Sequence, residues 1–190
     1  MQLWVGLGNP GGAHALHRHN VGFMAVDAIA DAWRFDPWRV RFRGLAAEGR
    51  IGGVKVLLLK PQGFMNASGQ SVGEAMRFYK SEESDVTVFH DELDLAPFRV
   101  KVKRGGGTAG HNGLRSTEAH IGADFRRVRL GIGHPGHKDK VTPHVLGNYA
   151  KVEQEPLAAM LAAVAAEAER LAAGDDARFM SDVARRMQDE

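Results

Sequence analysis

Apolar and polar positions alternate between two periods along this chain, and the switches between them mark out its elements. Residues 2–7 (Gln-Leu-Trp-Val-Gly-Leu) read as a short buried strand, and Gly8-Asn9-Pro10-Gly11-Gly12 then breaks the chain sharply. Val21, Met24, Ala25, Ala28, Ile29 and Ala32 recur at helical spacing, which predicts a helix from Val21 to Trp33. Arg39 to Arg50 alternates weakly and Val54 to Leu59 is continuously apolar. With Gly52-Gly53 between them the two read as a hairpin, and Pro61 ends its second strand. Ser68 to Lys80 carries Val72, Ala75, Met76 and Tyr79 on one helical face. Val86–Phe89 is a buried strand ending at His90-Asp91-Glu92.

The second half continues the pattern. Arg99 to Arg104 alternates, as a half-exposed strand with a basic face does, and Gly105-Gly106-Gly107 breaks it. Asn112 to Ile121 reads as a helix, Arg127 to Ile132 as a strand, and Gly133 to Val145, with two prolines, as a loop. Pro156 to Ala173 is an Ala/Leu-rich helix with proline at a tolerated early position, continued after Gly174 by Ala177 to Met187. Strands alternating with helices, plus one hairpin, predict an α/β fold: a single-domain three-layer sandwich with a mixed, mostly parallel central sheet flanked by helices. One domain spans 1–190, with 150–190 as its C-terminal helical part; 190 residues accommodate one domain and a sizeable core.

Composition narrows the function. The chain has no cysteine, which removes disulfides, thiolate metal sites and a thiol nucleophile. No apolar run approaches ~18 residues, so no membrane span is expected. Met1-Gln2-Leu3-Trp4 lacks the basic start of a secretory leader. The net charge of +2 hides an asymmetry: residues 1–150 hold 20 basic and 14 acidic side chains, and residues 151–190 hold 5 and 9. A basic body suits a polyanionic partner as well as it suits an ordinary mixed surface.

Several groups carry candidate chemistry. Gly6-Leu7-Gly8-Asn9-Pro10-Gly11 fits the dinucleotide pattern G-x-G-x-x-G, but no clean helix follows at once. Nor does an acidic residue end a second strand about 20 residues on, so a tight turn explains these glycines. His14, His17 and His19 lack the spacing of a metal site. His90, His111, His134 and His137 read as loop histidines, several of them beside carboxylates or amides at strand ends, where α/β folds collect ligands. Asp91 leaves a buried strand, whereas Glu92 and Asp94 read as a solvated acidic turn. Asn9, Asn66 and Asn112 sit at sharp breaks, where an amide serves as turn or cap, or as donor to a carbonyl, ribose hydroxyl or oxyanion. A His base, an orienting Asp and polar amides, without a G-x-S-x-G elbow, suit attack of water on an activated acyl or ester bond. The strand through Lys101 and Lys103, with Arg99, Arg104, Arg115 and Arg129, suits phosphates, or simply protects an edge.

Six ordered segments carry a resemblance. They are Val5–Gly11, Arg18–Gly22, Lys60–Gly69, His90–Asp94, Gly110–Leu114 and Arg129–Gly136. In order and spacing, over about residues 3–149, they resemble bacterial peptidyl-tRNA hydrolase. The resemblance implies hydrolysis of the ester joining a peptide to the 3′-terminal ribose of tRNA. It implies His19 as the catalytic base and Asp91 as the group that holds it. Asn9, Asn66 and Asn112 would bind substrate and place the water or the oxyanion. Phe64 and Met65 would line the peptide cleft, His111 would lie near the terminal nucleotide, and Lys103 and Arg129 would clamp the tRNA 5′-phosphate. The family commonly has Tyr where this chain has His14, so a binding role for His14 rests on imidazole instead. The resemblance further implies a cytoplasmic monomer acting on peptidyl-tRNA, with no metal, organic cofactor or membrane. The alternative reading is a non-catalytic RNA-binding relative of the same fold.

Overall fold

Seven strands form one sheet in the computed structural model, which describes residues 1–188. β1 (Gln2–Gly6) lies at its centre, parallel to β4 (Val54–Pro61) on one side and β5 (Val86–Glu92) on the other. β7 (Arg126–Gly131) continues parallel beyond β5, and β6 (Val100–Arg104) closes that edge antiparallel. β3 (Gly44–Ile51) and β2 (Arg39–Arg41) complete the other side by antiparallel pairing, giving the order β2-β3-β4-β1-β5-β7-β6.

The apolar runs of the central strands follow from burial on both faces. Leu3, Val5, Leu57, Leu59, Val86 and Val88 point into one apolar layer with Val72 of α2 (Ser68–Tyr79) and Leu114 of α3 (Asn112–Ile121). Trp4, Leu58, Phe89 and Val128 point the other way, against Ile29 of α1 (Val21–Ala32) and the C-terminal helices. The sandwich therefore has three layers, and the sheet is mixed.

Four local expectations need correction. The strand expected over Arg39–Arg50 is two, because Phe42 and Arg43 both adopt left-handed conformations (φ 54° and 53°) and turn the chain between β2 and β3. The strand expected over Val86–Phe89 runs on through His90 and Asp91, since both keep pairing with β7. The loop expected over Gly133–Val145 contains a short α4 (Val141–Val145). The helix expected over Pro156–Ala173 is α5 (Gln154–Ala166) and α6 (Ala168–Ala172), interrupted at Glu167, whose carboxylate accepts from Arg186 Nε at 2.7 Å. Arg186 belongs to the last helix, α7 (Asp176–Gln188).

Two pairs of glycines shape the sheet and what packs on it. Gly52 and Gly53 (φ 56° and 84°) form the two-residue turn between β3 and β4 that the sequence predicts, and they set that hairpin's register. Gly6 and Gly22 let α1 start directly on the sheet: a Cβ on Gly22 would run into the Phe89 carbonyl, and one on Gly6 into the Gly22 carbonyl. The turn before α1 is thereby pressed against the C-terminal ends of β1 and β5.

Candidate active site

His19 sits on that turn, a single 3-10 turn at Arg18–Asn20, and Asp91 is the penultimate residue of β5. Their side chains meet: His19 Nδ1 donates to Asp91 Oδ2 at 2.7 Å. The Asp91 side chain is 2% exposed. Burial alone would push its carboxyl up, but His111 and His19 beside it hold it well below the ordinary carboxylate range. Burial lowers the His19 imidazole, and attraction to Asp91 together with their hydrogen bond outweighs this and raises it above 6.5. With Nδ1–H committed to the carboxylate, Nε2 of neutral His19 keeps a free lone pair.

The second carboxylate oxygen is also engaged, since His111 Nε2 lies 2.7 Å from Asp91 Oδ1. His90, expected in a loop, lies inside β5 and is 1% exposed. Its Nδ1 donates to the Asp91 carbonyl at 2.8 Å, and burial with His111 nearby lowers its pKa to about 3, so it stays neutral. Ligand atoms of His19, Asp91 and His111 lie within 4.8 Å of one another, near enough to suggest a metal. The hydrogen bonds oppose that reading. His111 Nδ1 accepts from the backbone N–H groups of Gly113 and Leu114, so the ring proton sits on Nε2, where a metal would have to bind.

The three asparagines occupy different positions. Asn9 is gripped by Asn20, whose amide accepts from Asn9 N at 2.9 Å and donates to Asn9 O at 2.8 Å. Asn9 Oδ1 accepts from Met65 N at 2.8 Å, and among the described residues its Nδ2 donors have no partner. Asn112 lines the cavity that holds His19 and Asp91. Asn66 is exposed, on the turn Met65–Ala67 outside that cavity's lining. Met65 is 4% exposed and packs into the apolar layer under α3, so its backbone N–H, through Asn9, is what serves the site. Phe64 beside it is 62% exposed, and the His14 ring meets Phe64 edge-on at 6.3 Å.

The cavity measures about 540 Å³ and is lined by His19 and Asp91, by Lys103, Arg127, Arg129 and Lys138, and by Glu92 and Asp94. Lys103 stands opposite Arg127 and Lys101 opposite Arg129 across β6 and β7. Like charges directly opposite cost stability, and an anionic occupant removes that cost. Arg127 went unremarked in the sequence. It is fully buried and donates to the Gly107 and Gly106 carbonyls at 2.7 and 3.0 Å, which fixes the glycine loop as one cavity wall. Its signal was available, because Arg127 lies two residues before Arg129 and shares its face of the strand.

Fold and site define a class: an α/β protein with an imidazole–carboxylate pair in a cavity that also holds Lys103, Arg127 and Arg129, suited to hydrolysis in an anionic substrate. The chain belongs to the peptidyl-tRNA hydrolase family, whose profile matches residues 3–190. It is 74% identical to peptidyl-tRNA hydrolase of Rhizorhabdus wittichii, with 100% of both chains covered. It is 70% identical to that of Erythrobacter litoralis, covering 99% of this chain and 100% of the relative. Among solved structures, Acinetobacter baumannii peptidyl-tRNA hydrolase superposes with a TM-score of 0.90 at 40% identity, covering 96% of this chain and 94% of that one.

Proposed function

We propose that this cavity hydrolyses the ester between the peptide and the tRNA of peptidyl-tRNA, with His19 as general base. The observation that carries the reading is the 2.7 Å His19–Asp91 hydrogen bond in a cavity also lined by Lys103, Arg127 and Arg129. His19 Nε2 takes a proton from water as the oxygen attacks the acyl carbon, and the imidazolium that forms is stabilised by Asp91. Collapse of the tetrahedral species expels the ribose 3′-oxygen, to which His19 returns the proton. The free Asn9 Nδ2 and the amide of Asn112 supply donors for the oxyanion, and Asn66 binds substrate from its exposed turn. Phe64 and His14 form an aromatic rim for the peptide, over a floor in which Met65 is buried. Lys103 and Arg129 take the 5′-phosphate.

The retained pair and the full-length likeness to enzymes disfavour a non-catalytic RNA-binding role. Among the described residues no helix is long and apolar enough to cross a membrane. We infer action in the cytoplasm, as a monomer and without a cofactor, from the family's substrate and from the chemistry that His19, Asp91 and the amides supply between them.

The test offers purified protein N-blocked and free aminoacyl-tRNA. Preferential release from the blocked form is expected, and equal release from both would overturn the substrate assignment.

A further inference from the structure

The capping geometry of α3 points to His111 as a positioning residue for the catalytic carboxylate. We propose that its imidazole, anchored by the helix N-terminus in one tautomer, donates from Nε2 to Asp91 and holds the carboxylate in the plane that His19 needs.

The argument starts from hydrogen-bond accounting. The first backbone N–H groups of a helix have no intrahelical acceptor. Here Gly113 N and Leu114 N both point at His111 Nδ1, at 3.1 and 3.3 Å. An imidazole nitrogen that accepts carries no proton, so in neutral His111 the proton resides on Nε2. Nε2 lies 2.7 Å from Asp91 Oδ1, which can only accept. The cap therefore selects the donor tautomer, and the carboxylate receives one imidazole on each oxygen.

The surroundings agree. The Asp91 side chain is 2% exposed, so its alignment depends on these partners rather than on water. A His111 turned toward Asp91 by one nitrogen and toward α3 by the other has neither ring nitrogen left for substrate. Gly113 leaves room for the arrangement, since a Cβ there would press on the Met65 sulfur, Leu7 and the His111 ring.

This inference rests on the proposed His19–Asp91 mechanism, and two substitutions separate its parts. His111→Asn retains a side-chain oxygen near the cap but is too short to reach Asp91. His111→Gln places an amide N–H near the position of Nε2 and gives up the cap. Hydrolysis of N-blocked aminoacyl-tRNA is measured from pH 5 to 9 beside wild type and His19→Ala, with thermal unfolding of each protein as the control for folding. His111→Asn is expected to lose roughly 10- to 100-fold in kcat with KM little changed, the worth of a charge-assisted hydrogen bond. Its acid limb moves up, because an Asp91 that has lost one donor attracts the His19 proton more strongly. His111→Gln is expected to recover most of that kcat. An Asn variant impaired only in KM would make His111 a substrate contact. An Asn variant as active as wild type beside an impaired Gln variant would reduce it to a helix cap. A Gln variant as impaired as Asn would contradict donation to Asp91 as its role, and an unmoved acid limb in Asn would contradict coupling to Asp91. Full activity in His19→Ala would instead remove the mechanism beneath the inference.

Discussion

Each residue of the His19–Asp91 pair depends on the other's charge. Asp91 raises the His19 pKa above its ordinary 6.5 against the opposing effect of burial. A base must be deprotonated to act, so kcat/KM rises with pH through that value and its acid limb lies above 6.5 in the wild type. Asp91→Asn removes the attraction and leaves the burial. The limb therefore moves down while the rate falls about 10²- to 10⁴-fold, because the imidazolium loses its partner and the ring its tautomer. A pH–rate profile checks this, and a limb that stays in place would reassign Asp91. Asn20 contributes in a different way, since its amide closes both backbone groups of Asn9. Asn20→Ala is expected to slow hydrolysis by roughly 10-fold and to leave two part-buried backbone groups without these partners, at a cost of about 1 kcal/mol. Activity and urea titration measure the two effects separately.

At the level of elements, the chain shows which contacts local pattern reveals. The central strands were legible because burial on both faces makes them continuously apolar, and the Gly52-Gly53 turn because only glycine adopts two left-handed conformations at no steric cost. The break at Phe42 and Arg43 was not legible, since neither residue favours positive φ. The extension of β5 was hidden because His90 and Asp91 are polar, and their burial depends on α3 and the turn before α1, both remote in sequence. The chemistry divides in the same way: a base, a carboxylate and amides could be counted along the chain, but pairing His19 with an aspartate 72 residues away needed the family resemblance or the strand order that sets β1 beside β5. Gly22 is the element-scale test of that juxtaposition. Gly22→Ala forces the start of α1 off the Phe89 carbonyl. It is expected to destabilise the fold by about 1–3 kcal/mol in urea unfolding and to lower kcat by shifting His19. Unchanged stability and activity would show that the close approach is dispensable.

Over the whole molecule, charge is divided unevenly along the chain. Lys103, Arg127 and Arg129 line the cavity together with the His19–Asp91 pair, while residues 151–190 carry an acidic excess. Phosphate contacts release counterions, so each one lost should reduce the salt dependence of tRNA binding by about one unit of log–log slope. Lys103→Glu with Arg129→Glu is expected to weaken binding most at low salt and to flatten that slope by about two, read by filter binding across ionic strengths. An unchanged slope would remove the footprint.

The central claim meets its most direct test in the single-turnover hydrolysis of N-blocked aminoacyl-tRNA by His19→Ala, with tRNA binding measured on the same preparation. The account predicts binding within a few-fold of wild type and a cleavage rate reduced by roughly 10²- to 10⁴-fold or more. Cleavage at the wild-type rate would contradict it.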